Sequence, residues 1–310
     1  MHEGDEVVVN VAALDLGLGS GGFDIVHVNL TRGLEASDES GEHVIKLNYT
    51  SLQHPVAPVE VPWFLNREID EKGTTGRERG TLAVLVLPLH GHLAPAAWAA
   101  QAATGLKVGY VQTGGGALPG SLSRDVAQLR ERNLLGGHIT VGPAYGGEHE
   151  ALSVAGALDA AANGLGWDAA IVGPGPGIIG SETRLGHGGM AALDSAHAAL
   201  ALGLPTLLSP RLSEADPRER HRGVSHHTLT VLELLLGGVE VPVPEGDTAI
   251  VAELAKAVDE RHGLHEAEPD LAGYGDTGLS ARTMGRGIEE DPLFFSAPLA
   301  AGAYLRSTLA

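Results

Sequence analysis

The stretch "TLAVLVLPLHGHLAPAAWAAQAATGLKVGYVQT", Thr81 to Thr113, decides the fold class. It opens on "TLAVLVL" (81–87), a continuous apolar run of strand length. A helical segment over 95–104 follows. Pro95 suits a first helical turn, because its φ is already fixed and its missing N–H would have no partner there. Gly105 suits the stop. A second strand-like run, "KVGYVQT" (107–113), comes next. Apolar runs without alternation, joined through a helix, indicate parallel strands buried on both faces.

The same alternation continues downstream. Further strands are expected at 138–143, 168–174, 204–210 and 240–244. Helices are expected at 121–133, 148–164, 190–202, 226–236, 247–261 and 291–307. The expected class is therefore α/β, with residues 81–310 forming a mainly parallel three-layer α/β domain. Upstream the pattern differs. "EVVVNVAAL", "FDIVHVNL" and "EHVIKLNYT" are short, rich in Val and Ile, and separated by Gly- and Ser-rich turns. Residues 1–80 are expected to form a small antiparallel, barrel-like β domain, ending in the polar linker Asn66 to Thr81.

Composition narrows the function. The formal charge is −19 and aromatic residues make up 4% of the chain. Such a chain repels nucleic acid and offers few rings for base stacking, so neither nucleic acid nor membrane is an expected partner. With no cysteine, disulfides, thiolate zinc sites and iron–sulfur clusters are excluded. The N-terminus lacks a basic and an apolar signal region, which leads to an expectation of a cytoplasmic protein. Self-association into a homo-oligomer is left open.

In parallel sheets ligands bind beyond the carboxyl ends of the strands, and several loops there carry chemistry. Thr113 leads into Gly114, Gly115 and Gly116, ahead of a helix that Ser121 or Ser123 could cap. Bare backbone and free helix N–H groups suit an anion. "GPGPGIIGSETRLG" places Gly175 and Gly177 before Thr183 and Arg184. Its prolines and the missing acidic residue about twenty positions later argue against a dinucleotide site. The earlier Gly17, Gly19 and Gly22 precede a strand rather than a helix, so they read as turn glycines.

The densest segment is "PRLSEADPRERHRGVSHHT", Pro210 to Thr228. It carries Arg211, Arg218, Arg220, Arg222, His221, His226 and His227. Ser225 is a good N-cap, which puts His226 and His227 in a first helical turn. The helix dipole disfavours a charged imidazole there, and neutral imidazole is what a general base or a metal ligand needs. Glu214, Asp216 and Glu219 interleave with the arginines, so local salt bridges are the competing structural explanation. His90 and His92 have the spacing of a metal pair, and a third ligand would have to come from elsewhere. No metal is assigned at this point, His90 being the one candidate, and the cofactor is unknown.

The segments "GYVQTGGGALPGSLS", "VGPAYGGEHEALSVAGAL", "AIVGPGPGIIGSETRLG", "PRLSEADPRERHRGVSHHT" and "TMGRGIEEDPLFF" together resemble a bacterial domain-of-unknown-function family, number 3866. The likeness covers nearly the whole chain. It implies a cytoplasmic bacterial protein and carries over no catalytic residue. In that family the position of His187 is usually aromatic, and His92 looks peculiar to this chain.

The expected function is an enzyme, a hydrolase or group transferase, acting on a small anionic metabolite, phosphorylated or carboxylated. His226 or His227 would be the acid–base group and Asp216 would orient an imidazole. Gly114–Gly116, Gly175, Gly177, Thr113, Thr183, Arg184, Arg218, Arg220, His221, Arg222 and Ser225 would bind the ligand. Two alternatives stand beside it: a non-catalytic ligand sensor, and a metal-dependent hydrolase using His90 with His226 or His227.

Overall fold

Both runs of the opening stretch are strands, Ala83–Val86 (β5) and Val108–Thr113 (β6), and every residue in them is buried. The structure is a computed structural model that describes residues 1–16, 25–33, 44–61, 82–101, 105–117 and 119–309. These residues divide into two units, Met1–Pro58 and Val59–Ala310. The expected linker lies largely outside the described residues.

In the first unit, Val7–Asn10 (β1) pairs antiparallel with Ile25–Asn29 (β2), with a register shift between Val8 and Val9. Val44–Lys46 (β3) pairs antiparallel with His54–Val56 (β4). The short helix Ala12–Asp15 (α1) follows β1. Among the described residues these are two separate two-stranded sheets rather than a closed barrel.

The second unit is built on one parallel sheet. Its remaining strands are His138–Val141 (β7), His149–Ala151 (β8), Ala169–Pro174 (β9), Thr206–Leu208 (β10), Glu240–Pro244 (β13) and Gly263–Ala267 (β14). Two small ribbons complete the set: Leu212–Ser213 (β11) with Gly223–Val224 (β12), and Arg282–Thr283 (β15) with Arg286–Gly287 (β16). The spatial order in the large sheet is β14-β13-β10-β5-β9-β6-β7-β8.

Register explains the two cores. Leu207, Leu85, Ile171 and Tyr110 stand opposite one another across β10, β5, β9 and β6. Their neighbours Leu208, Val86, Val172 and Val111 form the next row. Side chains alternate along a strand, so the rows face opposite sides. The first row joins Leu93–Gln101 (α2), Arg124–Glu131 (α3) and Pro292–Leu309 (α9) in one hydrophobic core. The second joins Val154–Asn163 (α4), Ala191–Ala201 (α5), His226–Leu234 (α6) and Thr248–Ala257 (α7) in the other. A further short helix, Leu271–Gly275 (α8), adds Tyr274 to the first core. The result is the expected three-layer α/β domain.

The expectation missed β8 and β14, the two edge strands. Each has one sheet neighbour and is polar or partly exposed, "HEA" and "GLHEA", so neither shows the apolar run of a strand covered on both faces.

The topology contains a switch point. From β5 the chain skips one position to β6 and builds outward. It returns to fill the gap with β9 and then crosses β5 to β10. The carboxyl ends of β10, β5, β9 and β6 therefore lie side by side while their connections leave in opposite directions, which is where open α/β sheets form their ligand crevice.

The layer over α2 depends on one close approach. A Cβ on Gly302 of α9 would stand 2.3 Å from the Ala96 carbonyl oxygen and 2.9 Å from the Ala99 Cβ. Overpacking of this kind costs about 1–3 kcal/mol. Gly302→Ala should lower the urea midpoint accordingly, and an unchanged midpoint would show that the helices can separate freely.

Candidate functional site

The loop beyond β10 is shaped by its own ribbon. Leu212 pairs with Val224 and Ser213 with Gly223, which brings the chain back to the start of α6. There the Ser225 N–H donates to the Arg211 carbonyl at 2.9 Å. The Arg211 N–H donates to the Thr228 hydroxyl at 2.8 Å. Ser225 is the N-cap of α6, as expected, and its hydroxyl accepts from the His227 N–H. Strand end and helix start are thus tied together, with Asp216 and His221 in the loop between them.

Asp216 is fully buried and organises the arginines. Its carboxylate accepts from Arg211 Nη2 at 3.1 Å and from Arg218 Nε and Nη2, each at 2.9 Å. The Arg218 backbone N–H adds a fourth bond at 3.0 Å, and Arg286 Nη2 approaches to 3.7 Å. Arg222 donates to the Asp216 carbonyl at 2.9 Å. Ser213 donates to Asp291, also fully buried, at 2.7 Å, and Arg286 Nε does so at 3.0 Å. Burial alone would raise the Asp216 pKa, but the hydrogen bonds from Arg218 and the charge of both arginines outweigh it. The carboxyl is held well below the usual range. The expected pairing of Asp216 with an imidazole is corrected here: its carboxylate is hydrogen-bonded by the guanidiniums of Arg211 and Arg218 and by the Arg218 backbone N–H.

Four imidazoles gather beside this cluster. His187, on the loop after β9, stacks on His227 with ring centroids 3.6 Å apart. His226 and His227 are 4.4 Å apart, and His221 is 4.9 Å from His226 and 4.8 Å from His227. His221 Nδ1 lies 2.7 Å from the Ser225 hydroxyl. Arg211 Nη1 reaches His227 Nδ1 at a long 3.4 Å. Burial first, and the nearby arginines next, hold His221 at about 3; burial, His187 and Arg211 hold His227 at about 2. Burial also lowers His187 and His226. All four are neutral at physiological pH. Several donors and acceptors in this region are buried without a hydrogen-bond partner: Arg211 Nε, Arg286 Nη2, His187 Nδ1, His226 Nε2 and His92 Nε2.

The other expected residues divide. Arg220 sits 4.0 Å from the exposed Glu182, and Arg184 pairs with Glu233 on the surface. Thr183 closes a turn, accepting from the Gly186 N–H. Thr113 donates to the Gly114 carbonyl. The glycine loops form no open cradle. A Cβ on Gly116 would stand 2.4 Å from the Gly175 oxygen, and one on Gly115 would stand 2.8 Å from the Gly188 oxygen. The Ala117 N–H donates to the Pro176 carbonyl at 2.7 Å. These glycines let two loops lock backbone to backbone, and Gly115 and Gly177 also have positive φ.

His90 belongs to a different network. Its Nε2 is 2.8 Å from the Ser123 hydroxyl and 3.8 Å from Asp125, and its Nδ1 is 3.3 Å from the Tyr110 hydroxyl. His138 stacks on Tyr110. His92 binds the Ser209 hydroxyl at 3.1 Å. Among the described residues, His221, His226 and His227 form the group of three in which one ring nitrogen of each lies within 4.8 Å of the other two. His90 is not among them, which corrects its pairing with His226 or His227.

A family model matches residues 1–302 of the chain, that of the family described as "Protein of unknown function (DUF3866)". The chain belongs to this family. The match spans both units of the chain, so the β-rich segment and the histidine–arginine cluster both lie within the matched region. No curated protein and no solved structure matches the chain. Among the described residues, no helix is long and apolar enough to cross a membrane.

The segment Pro210 to Thr228, the densest in the sequence, carries Asp216, Arg211 and three of the four imidazoles, while the expected site residues did not include Arg211, Arg286 or His187. Arg211 was visible as the residue just past a strand end. Arg286 and His187 come from distant loops, and only the fold brings them in.

Two predictions follow from burial. Removing one partner of a buried ion pair costs about 3–5 kcal/mol, so Asp216→Asn should lower the stability measured by urea unfolding by that amount. A loss under 1 kcal/mol would show that the guanidiniums need no carboxylate. His92 and His138 are each held at about 3 by burial, against 6.5 ordinarily. Between those values the unfolded chain binds more protons. Stability should therefore fall as pH drops below 6.5, approaching about 1.4 kcal/mol per pH unit for each histidine. A flat profile between pH 7 and 4.5 would mean that these rings are hydrated.

Proposed function

We propose that this protein is a cytoplasmic bacterial enzyme that acts on a small anionic metabolite, phosphorylated or carboxylated, at the carboxyl edge of its parallel sheet. One observation carries the reading. Arg211 is buried, keeps its charge and has an Nε–H without a hydrogen-bond acceptor, beside four neutral imidazoles. An unsatisfied buried donor costs about 1–3 kcal/mol, more on a charged group. A ligand carboxylate or phosphate would satisfy it, and the forked geometry of arginine suits both.

The neutral histidines supply the chemistry. His226 is half-buried with a bare Nε2, so it is placed to take or give a proton. His227 is held by the helix cap and by the His187 stack, which suits a positioning role. Hydrolysis or group transfer is the reaction class that such acid–base groups and a fixed cation serve. Arg218 and Arg222 act indirectly, by holding Asp216 and so the position of Arg211. Arg184 and Arg220 are removed from the ligand set, since their partners lie on the surface.

Isothermal titration with inorganic phosphate and with succinate tests the reading, each standing for one anion class. One saturable site per chain is expected for one of the two probes, weakened at least tenfold in Arg211→Gln and unaffected in Arg184→Gln. Equal binding in all three proteins, or none to the wild type, overturns it. Urea unfolding of Arg211→Gln run in parallel establishes that the variant is folded.

A further inference from the structure

We infer that His221, His226 and His227 form a three-imidazole site for a divalent transition ion of the zinc type. One nitrogen of each ring lies within 4.8 Å of the other two. A tetrahedral zinc site with bonds of about 2.0–2.1 Å has ligand edges of roughly 3.3 Å, so an ion would draw the three rings inward from an arrangement already convergent.

Independent features support ligation rather than mere crowding. His226 Nε2 is buried and has no hydrogen-bond partner. Ser225 serves two of the three ligands through one hydroxyl. It accepts from the His227 N–H and contacts His221 Nδ1 at 2.7 Å. With Nδ1–H donated to that hydroxyl, His221 presents a bare Nε2, and outer-shell fixing of this kind is what metal-bound histidines require. The 3.4 Å contact from Arg211 to His227 Nδ1 is too long for a firm hydrogen bond. Part of the nearby positive charge is met within the protein, since Arg211 and Arg218 share Asp216 and Arg286 pairs with Asp291.

Ligand type selects the ion. Three neutral imidazoles suit zinc, cobalt, nickel or copper, whereas calcium and magnesium prefer oxygen. Three protein ligands leave a fourth position open for water or substrate, the arrangement of catalytic rather than structural sites. The inference concerns the same place as the anion reading and replaces the acid–base role given there to His226, whose Nε2 cannot both hold an ion and carry a proton; it does not depend on anion binding, since metal binding is measured without any substrate.

The test is calorimetric titration of Zn²⁺ into protein stripped with a chelator, together with the visible spectrum of the Co²⁺-loaded protein. One ion per chain and a tetrahedral Co²⁺ spectrum are expected. His226→Ala should weaken Zn²⁺ binding by more than the roughly 10–100-fold typical of losing an outer-shell partner. His226→Cys should restore binding and add a thiolate–Co²⁺ charge-transfer band, which a merely structural role for the residue would not produce. His265→Ala, on the edge strand β14, serves as the control and should bind as wild type. The inference is overturned by no saturable Zn²⁺ or Co²⁺ binding to the wild type, or by equal affinity in His226→Ala and the control. Should the metal reading fall in either way, phosphate or succinate binding to the stripped protein decides the anion reading separately.

Discussion

The buried carboxylate of Asp216 is the constraint on which the site depends. It has no exposed surface, so its charge must be met within the protein. Arg211 and Arg218 meet it directly, and Arg286 approaches from the ribbon just before the last helix. Each guanidinium is anchored at a different point of the chain, so one carboxylate fixes the β10 loop to itself and to the segment preceding α9. Asp291, buried beside it and bound to Arg286 and Ser213, makes the second tie. Breaking a buried pair costs far more than the pair contributes over an apolar replacement, and this favours reading the cluster as a device for geometry rather than for stability.

The sheet supplies the setting. Loops from β9 and β10 reach the same place because those strands flank β5. The β9 loop brings His187 onto the face of His227, and the β10 loop brings Arg211, His221 and His226. The glycines of the β6 and β9 loops let their backbones interlock, which holds the His187 loop against the sheet. Neutral imidazoles and fixed guanidiniums then stand together on the loops beyond the strand ends.

The sequence disclosed the fold where burial is two-sided. "TLAVLVL", "KVGYVQT" and "DAAIVGP" read as parallel strands because no face of them meets water. The edge strands at His149–Ala151 and Gly263–Ala267 gave no such run, so the first was absorbed into a helix and the second passed unnoticed. The site was legible in part for a similar reason. Ser225 before an apolar helical pattern marks a helix start, and with it the position of His226 and His227. What could not be read was which acid meets which base. Glu214, Asp216 and Glu219 look alike in sequence, and only Asp216 is buried among the arginines. The glycine-rich segments misled, because a backbone that approaches a ligand and a backbone that approaches another backbone need the same residue.

The most direct measurement of the central claim is an NMR titration following the Arg211 side-chain Nε–H resonance as inorganic phosphate or succinate is added. The account predicts a saturable shift of that resonance with one of the two anions, accompanied by shifts in the ring signals of His226 and His227. An Arg211 resonance that stays fixed with both anions, while only surface arginines such as Arg184 respond, would contradict it.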